Sequence, residues 1–441
     1  MNAFGIGADL FPLLAAVLAA LTCGLLGNFL VLRRLSLMGD AISHSVLPGL
    51  VIAFLIAASR NPLVMFLGAA VAGVATVVLV ELVKRLGRVE PGAAMGVVFS
   101  VLFALGVLLI RQVESLGNID LDADCVLHGQ LETLAWFGAP DSWAALLSPA
   151  TLDAVPRQVW TLLGMFTLAS AFVAALFKEL RLAAFDPALA TSQGFSAGLL
   201  HYALMVLVAG ATVASFEAVG SILVIAMLIC PAAAARLLTD RLLPQIGVSL
   251  LAALVAAVGG YLGATAVPGA FGLGAVNAAG SMSVVAGGLV AAAVIASPRH
   301  GLVSAWLRRR ALSLSVARED LLAGLYRAAE SGAHAPTHAG LPGVRMARAS
   351  ASARRAGLLS ADDPARLTPA GEQAAREIVR RHRLWEHYLV EEAGLAPDHV
   401  HPTAEQLEHT PLAPAGDPAI DPHGRPIPPA LAPGAPSRDT P

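Results

Sequence analysis

Charge is scarce in this chain: 441 residues carry 14% Asp, Glu, Lys and Arg against 56% hydrophobic residues, and the mean hydropathy is +0.70. That balance excludes an ordinary soluble enzyme, in which roughly a quarter of residues are charged. Cysteine is scarcer still. Cys23, Cys125 and Cys230 are too few and too scattered for a disulfide framework or a metal finger, and Cys23 and Cys230, in apolar stretches, read as small packing residues. A phosphate loop of the form G-x-x-x-x-G-K followed by Ser or Thr is missing, which excludes ATP hydrolysis by that route on this polypeptide. The amino end lacks a basic stretch before its apolar run and a small-residue cleavage site, so its first apolar segment is expected to stay.

Apolar length is what the chain has instead. A helix needs about 20 mostly apolar residues to cross the hydrocarbon core, and such runs occur at 10–32, 41–58, 62–83, 93–110, 159–177, 199–215, 220–229, 246–264 and 279–296. The run at 220–229 is short, so eight or nine crossings are expected. Basic residues near helix ends favour the cytoplasm. Arg33 and Arg34, then Lys84, Arg85 and Arg88, then Lys178 and Arg181, then Arg236 and Arg241, then Arg299 and Arg308 to Arg310 fall on alternate loops. With nine crossings this puts the amino end outside and everything after Arg299 inside. The expected fold is all-α: a polytopic helical membrane domain over 1–300, a basic linker over 301–315, a small, mainly helical cytoplasmic domain over 316–410, and a Pro-rich flexible tail over 411–441.

Polar residues inside the apolar runs mark the candidate sites. In RRLSLMGDAISHSVLPG, 33–49, Asp40 and His44 stand four residues apart, on one helical face. They offer one oxygen and one nitrogen to a divalent cation, or satisfy each other at a polar helix junction. In GSILVIAMLICPAAAARLLTDRL, 220–242, Pro231 lacks an amide proton and is expected to break its helix, laying Arg236 and Arg241 along the membrane surface. An ordinary kinked helix end is the plainer alternative. In NIDLDADCVLHGQL, 118–131, Asp120, Asp122 and Asp124 form an acidic outer loop able to attract cations.

These segments, with FDPALATSQGF at 185–195, resemble the permease subunits of manganese, zinc and iron ABC importers. The resemblance implies that Asp40 and His44 lie on the transport path and that Pro231, Arg236 and Arg241 belong to the element that docks on a separate ABC ATPase. It also implies an extracytoplasmic metal-binding protein, a pore made with a second permease, and no catalytic residue on this chain.

The tail carries a second pattern. Glu405, Glu408 and His409 stand at i, i+3 and i+4, and His382 and Glu386 at i and i+4, so two packed helices could enclose manganese, ferrous iron or zinc. The stretch 366–410 resembles the metal-binding and dimerisation region of diphtheria-toxin-repressor-like regulators. That resemblance implies a primary site of Asp320, His382, Glu405, Glu408 and His409, and an ancillary site of His382, Glu386 and His401. A glutamate at 405 would favour manganese. The winged helix of such regulators is expected to be degenerate, because 330–345 holds two prolines and is too short for its first helix. Arg345, Arg348, Arg354 and Arg355 remain available to DNA phosphates. Three readings stand: a metal-ion permease with a metal-sensing tail that regulates uptake, a membrane-tethered metal-responsive DNA-binding regulator, and a permease for a metal chelate.

Overall fold

The computed structural model describes residues 6–35, 37–57, 61–116, 131–136, 155–270, 274, 276–332, 343–360, 362–363, 365–410 and 414–430. Asp120, Asp122, Asp124 and Cys125 lie outside these. The chain forms two compact units, Met1–Ser304 and Ala305–Pro441.

In the first unit α1 (Ile6–Leu32), α2 (Met38–Ala57), α3 (Pro62–Gly87), α4 (Pro91–Leu116) and α5 (Arg157–Ala175) are followed by two short helices, α6 (Phe177–Phe185) and α7 (Pro187–Ser192). Then come α8 (Ala197–Leu238), α9 (Leu242–Ala270) and α10 (Ala278–Ala296). Eight of these are long and apolar enough to cross a membrane. α1 packs against α5, α8 and α9, while α2 pairs with α3 and α4. Close backbone approach requires glycine at the centre: a Cβ on Gly27 would collide with the Leu228 carbonyl of α8. Amides lace α1 to α9, where buried Asn28 donates to the Gly24 carbonyl at 2.7 Å and accepts from Gln245 at 3.1 Å. Such pairs hold helices together where apolar lipid gives little drive to associate.

α8 has 42 residues, and an unbroken helix of that length would measure about 63 Å, twice the hydrocarbon thickness. Gly220 breaks it with φ 77° and ψ 167°, backbone that only glycine adopts freely. The expected runs at 199–215 and 220–229 are therefore its two halves. Pro231 does not end the second half, contrary to expectation. Its missing amide removes a single bond, to the Met227 carbonyl, and the helix runs on to Leu238 because Met227, Leu228, Pro231, Ala232, Ala234 and Ala235 are all buried in packing.

The residues expected as a basic linker, 301–315, and the start of the helical domain form one helix, α11 (Leu302–Ser331), and the second unit continues with α12 (Gly343–Arg355), α13 (Pro369–Glu391) and the short α14 (His401–Leu407). Leu321, Leu322 and Leu325 of α11, Ala349 and Ala353 of α12, and Ile378 and Val379 of α13 form its core. Thr368 caps α13, accepting from the Gly371 amide at 3.1 Å while its hydroxyl donates to the Gly357 carbonyl at 2.7 Å. Among the described residues there are no strands beyond two isolated bridges, Leu359 with Leu367 and Ile420 with Pro426.

Candidate transport and metal sites

Asp40 lies in the first turn of α2 and His44 one turn on. The two meet, His44 Nε2 standing 3.3 Å from Asp40 Oδ1, with side chains 22% and 36% exposed respectively. The imidazole is held from α4, 5.1 Å from the Phe99 ring and 5.5 Å, edge on, from Phe103. Gly39 lets α2 begin close to α8, since a Cβ there would stand 2.6 Å from Leu228 Cδ1. The result is one carboxylate and one imidazole on a shared face, positioned but partly open.

Beyond the long helices, Asp186 caps α7 by accepting from the Leu189 amide at 2.9 Å, and Phe185 and Leu189 are exposed. Arg236 and Arg241 sit at the end of α8 and just past it. Asp240 between them accepts from Arg299 at 2.8 Å, with His300 at 3.6 Å and Arg236 at 3.9 Å. The Arg299 guanidinium holds the Asp240 carboxyl below the usual carboxylate range.

The second unit gathers its ligand-type residues into two groups, His382, Glu386 and His401 in one, Asp320, Glu408 and His409 in the other. In the first, Glu386 Oε1 lies 3.1 Å from His382 Nε2 and 2.8 Å from His401 Nδ1, which are themselves 3.0 Å apart. Burial alone would raise the Glu386 carboxyl, but the hydrogen bonds from the two imidazoles pull it down to about 2. Its side chain is 0% exposed and its Oε2 has no partner. A completely buried carboxylate oxygen without a partner is costly, and a cation between the imidazoles would satisfy it. The residues present fit a divalent ion.

In the second group His409 Nε2 lies 3.0 Å from Asp320 Oδ1 and Nδ1 lies 2.8 Å from Glu319 Oε2. Those two carboxylates raise the His409 imidazole to about 10. Glu408, 1% exposed, meets Arg327 at 3.2 Å. Its Oε2 also approaches His382 Nδ1 at 2.5 Å without the alignment of a hydrogen bond. His382 thus faces both groups, one ring nitrogen toward each. Glu405 belongs to neither and is exposed. α14 is assigned to Leu407, yet Glu408 keeps helical φ −60° and ψ −23° and its amide donates to the Ala404 carbonyl at 2.9 Å, so Glu405 and Glu408 stay one turn apart while only Glu408 is buried.

Sequence reasoning missed Glu319, Arg327 and His423, whose Nε2 lies 3.8 Å from Glu386 Oε1. Glu319 stands beside Asp320, which was the available signal. Arg345, Arg348 and Arg355 line a cleft of about 400 Å³ with Arg310 and Ser313, while Arg354 is exposed outside it.

Eight apolar helices with an attached ligand-bearing helical unit define a multi-pass membrane protein with an appended metal-binding domain. Residues 10–136 and 150–292 match the ABC 3 transport family, and the chain belongs to that family. Residues 368–411 match the metal binding and dimerisation domain of iron dependent repressors. The chain is 39% identical to the manganese transport system membrane protein MntD of Bacillus subtilis (strain 168) over 66% of its own length and 93% of the relative. It is 38% identical to the zinc transport system membrane protein TroD of Treponema pallidum (strain Nichols), over 69% and 78% respectively. Among solved structures it resembles PsaBC from Streptococcus pneumoniae in complex with Fab, at 27% identity and a TM-score of 0.52, over 68% of this chain and 94% of that one.

Proposed function

We propose that the chain is the permease subunit of an ATP-driven importer of divalent transition-metal ions in the cell membrane, and that Ala305–Pro441 is a cytoplasmic metal sensor that regulates uptake. The observation that carries this is the 39% identity to a manganese transport system membrane protein across nearly the whole of that relative. With no phosphate loop on this chain, ATP hydrolysis belongs to a separate ABC ATPase. An extracytoplasmic binding protein delivers the ion, and Asp40 and His44 ligate it transiently. Two donors from one chain leave coordination positions for water or for a second permease, and the partly open face of the pair supports a pore built from two.

Both halves of α8 crossing would make nine crossings, which with the basic loops supports a cytoplasmic second unit. For coupling, two regions qualify: the Arg236, Asp240 and Arg241 corner, and α6–α7, whose Phe185 and Leu189 are exposed and whose Lys178 and Arg181 are basic. The second is the better docking surface, because Pro231 remains inside a packed helix.

In the sensor, His382, Glu386 and His401 would hold one ion and Asp320, Glu408 and His409 another; a divalent charge there ties imidazoles and carboxylates from α11, α13 and α14 together. The test is accumulation of manganese, zinc and iron in cells that express the chain with its ATPase and binding protein, wild type against Asp40→Asn. Selective accumulation that the variant loses, at equal membrane abundance, supports the importer and its path; undiminished accumulation in the variant removes Asp40 from the path, and no accumulation of any metal by the assembled wild type overturns the importer.

A further inference from the structure

We propose that His423, on the turn between Asp421 and Arg425, is a fourth ligand of the His382, Glu386 and His401 site, so that a metal ion bound there fastens the 414–430 segment to α13 and α14. The inference rests on the reading of that cluster as a metal site. Glu386 Oε1 has three imidazole nitrogens around it, His401 Nδ1 at 2.8 Å, His382 Nε2 at 3.1 Å and His423 Nε2 at 3.8 Å. Donors about 2.1 Å from a tetrahedral ion stand about 3.4 Å from one another, and the observed separations bracket that value. Glu386 Oε2, fully buried and unpartnered, is the independent sign that something belongs in this pocket. Closed sites on such ions take four protein donors; without His423 the cluster offers three.

The turn is built to hold His423 where it is. Asp421, 3% exposed, accepts from the amides of His423 at 2.9 Å and Arg425 at 2.7 Å through Oδ1, and Gly424 completes the turn at φ 77°. Two buried arginines that flank His382 on α13 clamp the same segment. Arg380 donates to the Pro428 carbonyl at 2.6 Å and to Asp417 at 2.8 Å. Arg383 donates to the Pro426 carbonyl at 2.5 Å and to Glu330. Burying two guanidinium groups is expensive; three of their hydrogen bonds go to the segment that carries His423, and Glu330 of α11 takes the others from Arg383. Three neutral imidazoles and one carboxylate suit zinc, ferrous iron, manganese or cobalt.

The test uses the full chain in detergent micelles, titrated with Co²⁺ and followed by visible ligand-field absorption and by amide hydrogen exchange. Glu386→Gln identifies the phase that belongs to this site. Expected for the wild type is a strong four-coordinate spectrum and slower exchange over 414–430 once cobalt binds. His423→Ala should weaken that phase roughly tenfold to a hundredfold, the range found when even supporting groups of a metal site are lost. It should also abolish the cobalt-dependent protection of 414–430 and leave the phase assigned to Asp320, Glu408 and His409 untouched. His423→Gln, of similar reach but without a ring nitrogen, should behave as the alanine variant does, and unchanged exchange in α13 without metal shows that the fold survives. A His423→Ala protein that binds cobalt and protects the segment as the wild type does overturns the fourth ligand while leaving the three-residue site standing. A wild type that binds no cobalt in the second unit overturns both.

Discussion

The two units treat ligand-type side chains in opposite ways. In the first, Asp40 and His44 pair on one face of α2, 36% and 22% exposed, with the Phe99 and Phe103 rings of α4 beside the imidazole. In the second, His382, Glu386 and Glu408 are at most 2% exposed, interlocked through shared atoms, and backed by Arg327 and by a carboxylate pair on α11. The proposed roles, passage in the first unit and sensing in the second, account for the difference. A transport path that bound tightly would not release its cargo, so two donors with room for exchangeable ligands suit passage. A sensor must hold its ion long enough to change a structure, and desolvated donors in excess achieve that.

The sharpest way to break this contrast is to remove one donor from each side. Asp40→Asn leaves a single strong donor on the proposed path, and uptake measured with radioactive manganese should fall roughly tenfold to a hundredfold. Glu386→Gln should leave initial uptake rates intact but remove a metal phase from the second unit and raise steady-state accumulation at high external manganese. Truncation after Arg310 should give the same rise. If Glu386→Gln instead abolishes uptake at low manganese, the second unit is part of the path and the division of labour fails.

The helical elements and the paired ligand-type residues were largely legible in the sequence, unevenly so. Crossing helices are compositional, and a run such as 62–83 leaves little choice in lipid, because an unpaired backbone is intolerable there. The pairing of Asp40 with His44, and of His382 with Glu386, follows from helical periodicity alone. What failed were inferences that needed packing. Pro231 reads as a helix end, yet neighbours buried on both sides keep the helix going, whereas Gly220, the real break, looks like any small residue in an apolar run. Glu405, one turn before Glu408, is exposed while Glu408 is buried, and spacing alone does not tell which of the two faces the cluster. His423 was hidden by composition, since a Pro- and Gly-rich tail reads as flexible, and only the clamps from Arg380 and Arg383 reveal a built turn.

Smaller effects sharpen the comparison by separating fold from site. Gly220→Ala places a Cβ on backbone at φ 77° and ψ 167°, a strain of about 1–3 kcal/mol, and should lower the thermal stability of the first unit while metal binding by the second is unchanged. The mildest change is Thr368→Ala in the second unit. Thr368 accepts from the Gly371 amide and donates to the Gly357 carbonyl, so its loss leaves a helix start uncapped at a cost of about 1 kcal/mol. Because α13 carries His382 and Glu386, a cap lost at Thr368 loosens the donors without touching them. Cobalt affinity of the second unit should then fall by no more than about fivefold, what 1 kcal/mol corresponds to in a binding constant, with the ligand-field spectrum of the saturated site unaltered. A changed spectrum would mean that the cap sets ligand geometry directly, and that the sensor's donors are less firmly held by their own mutual contacts than their burial implies.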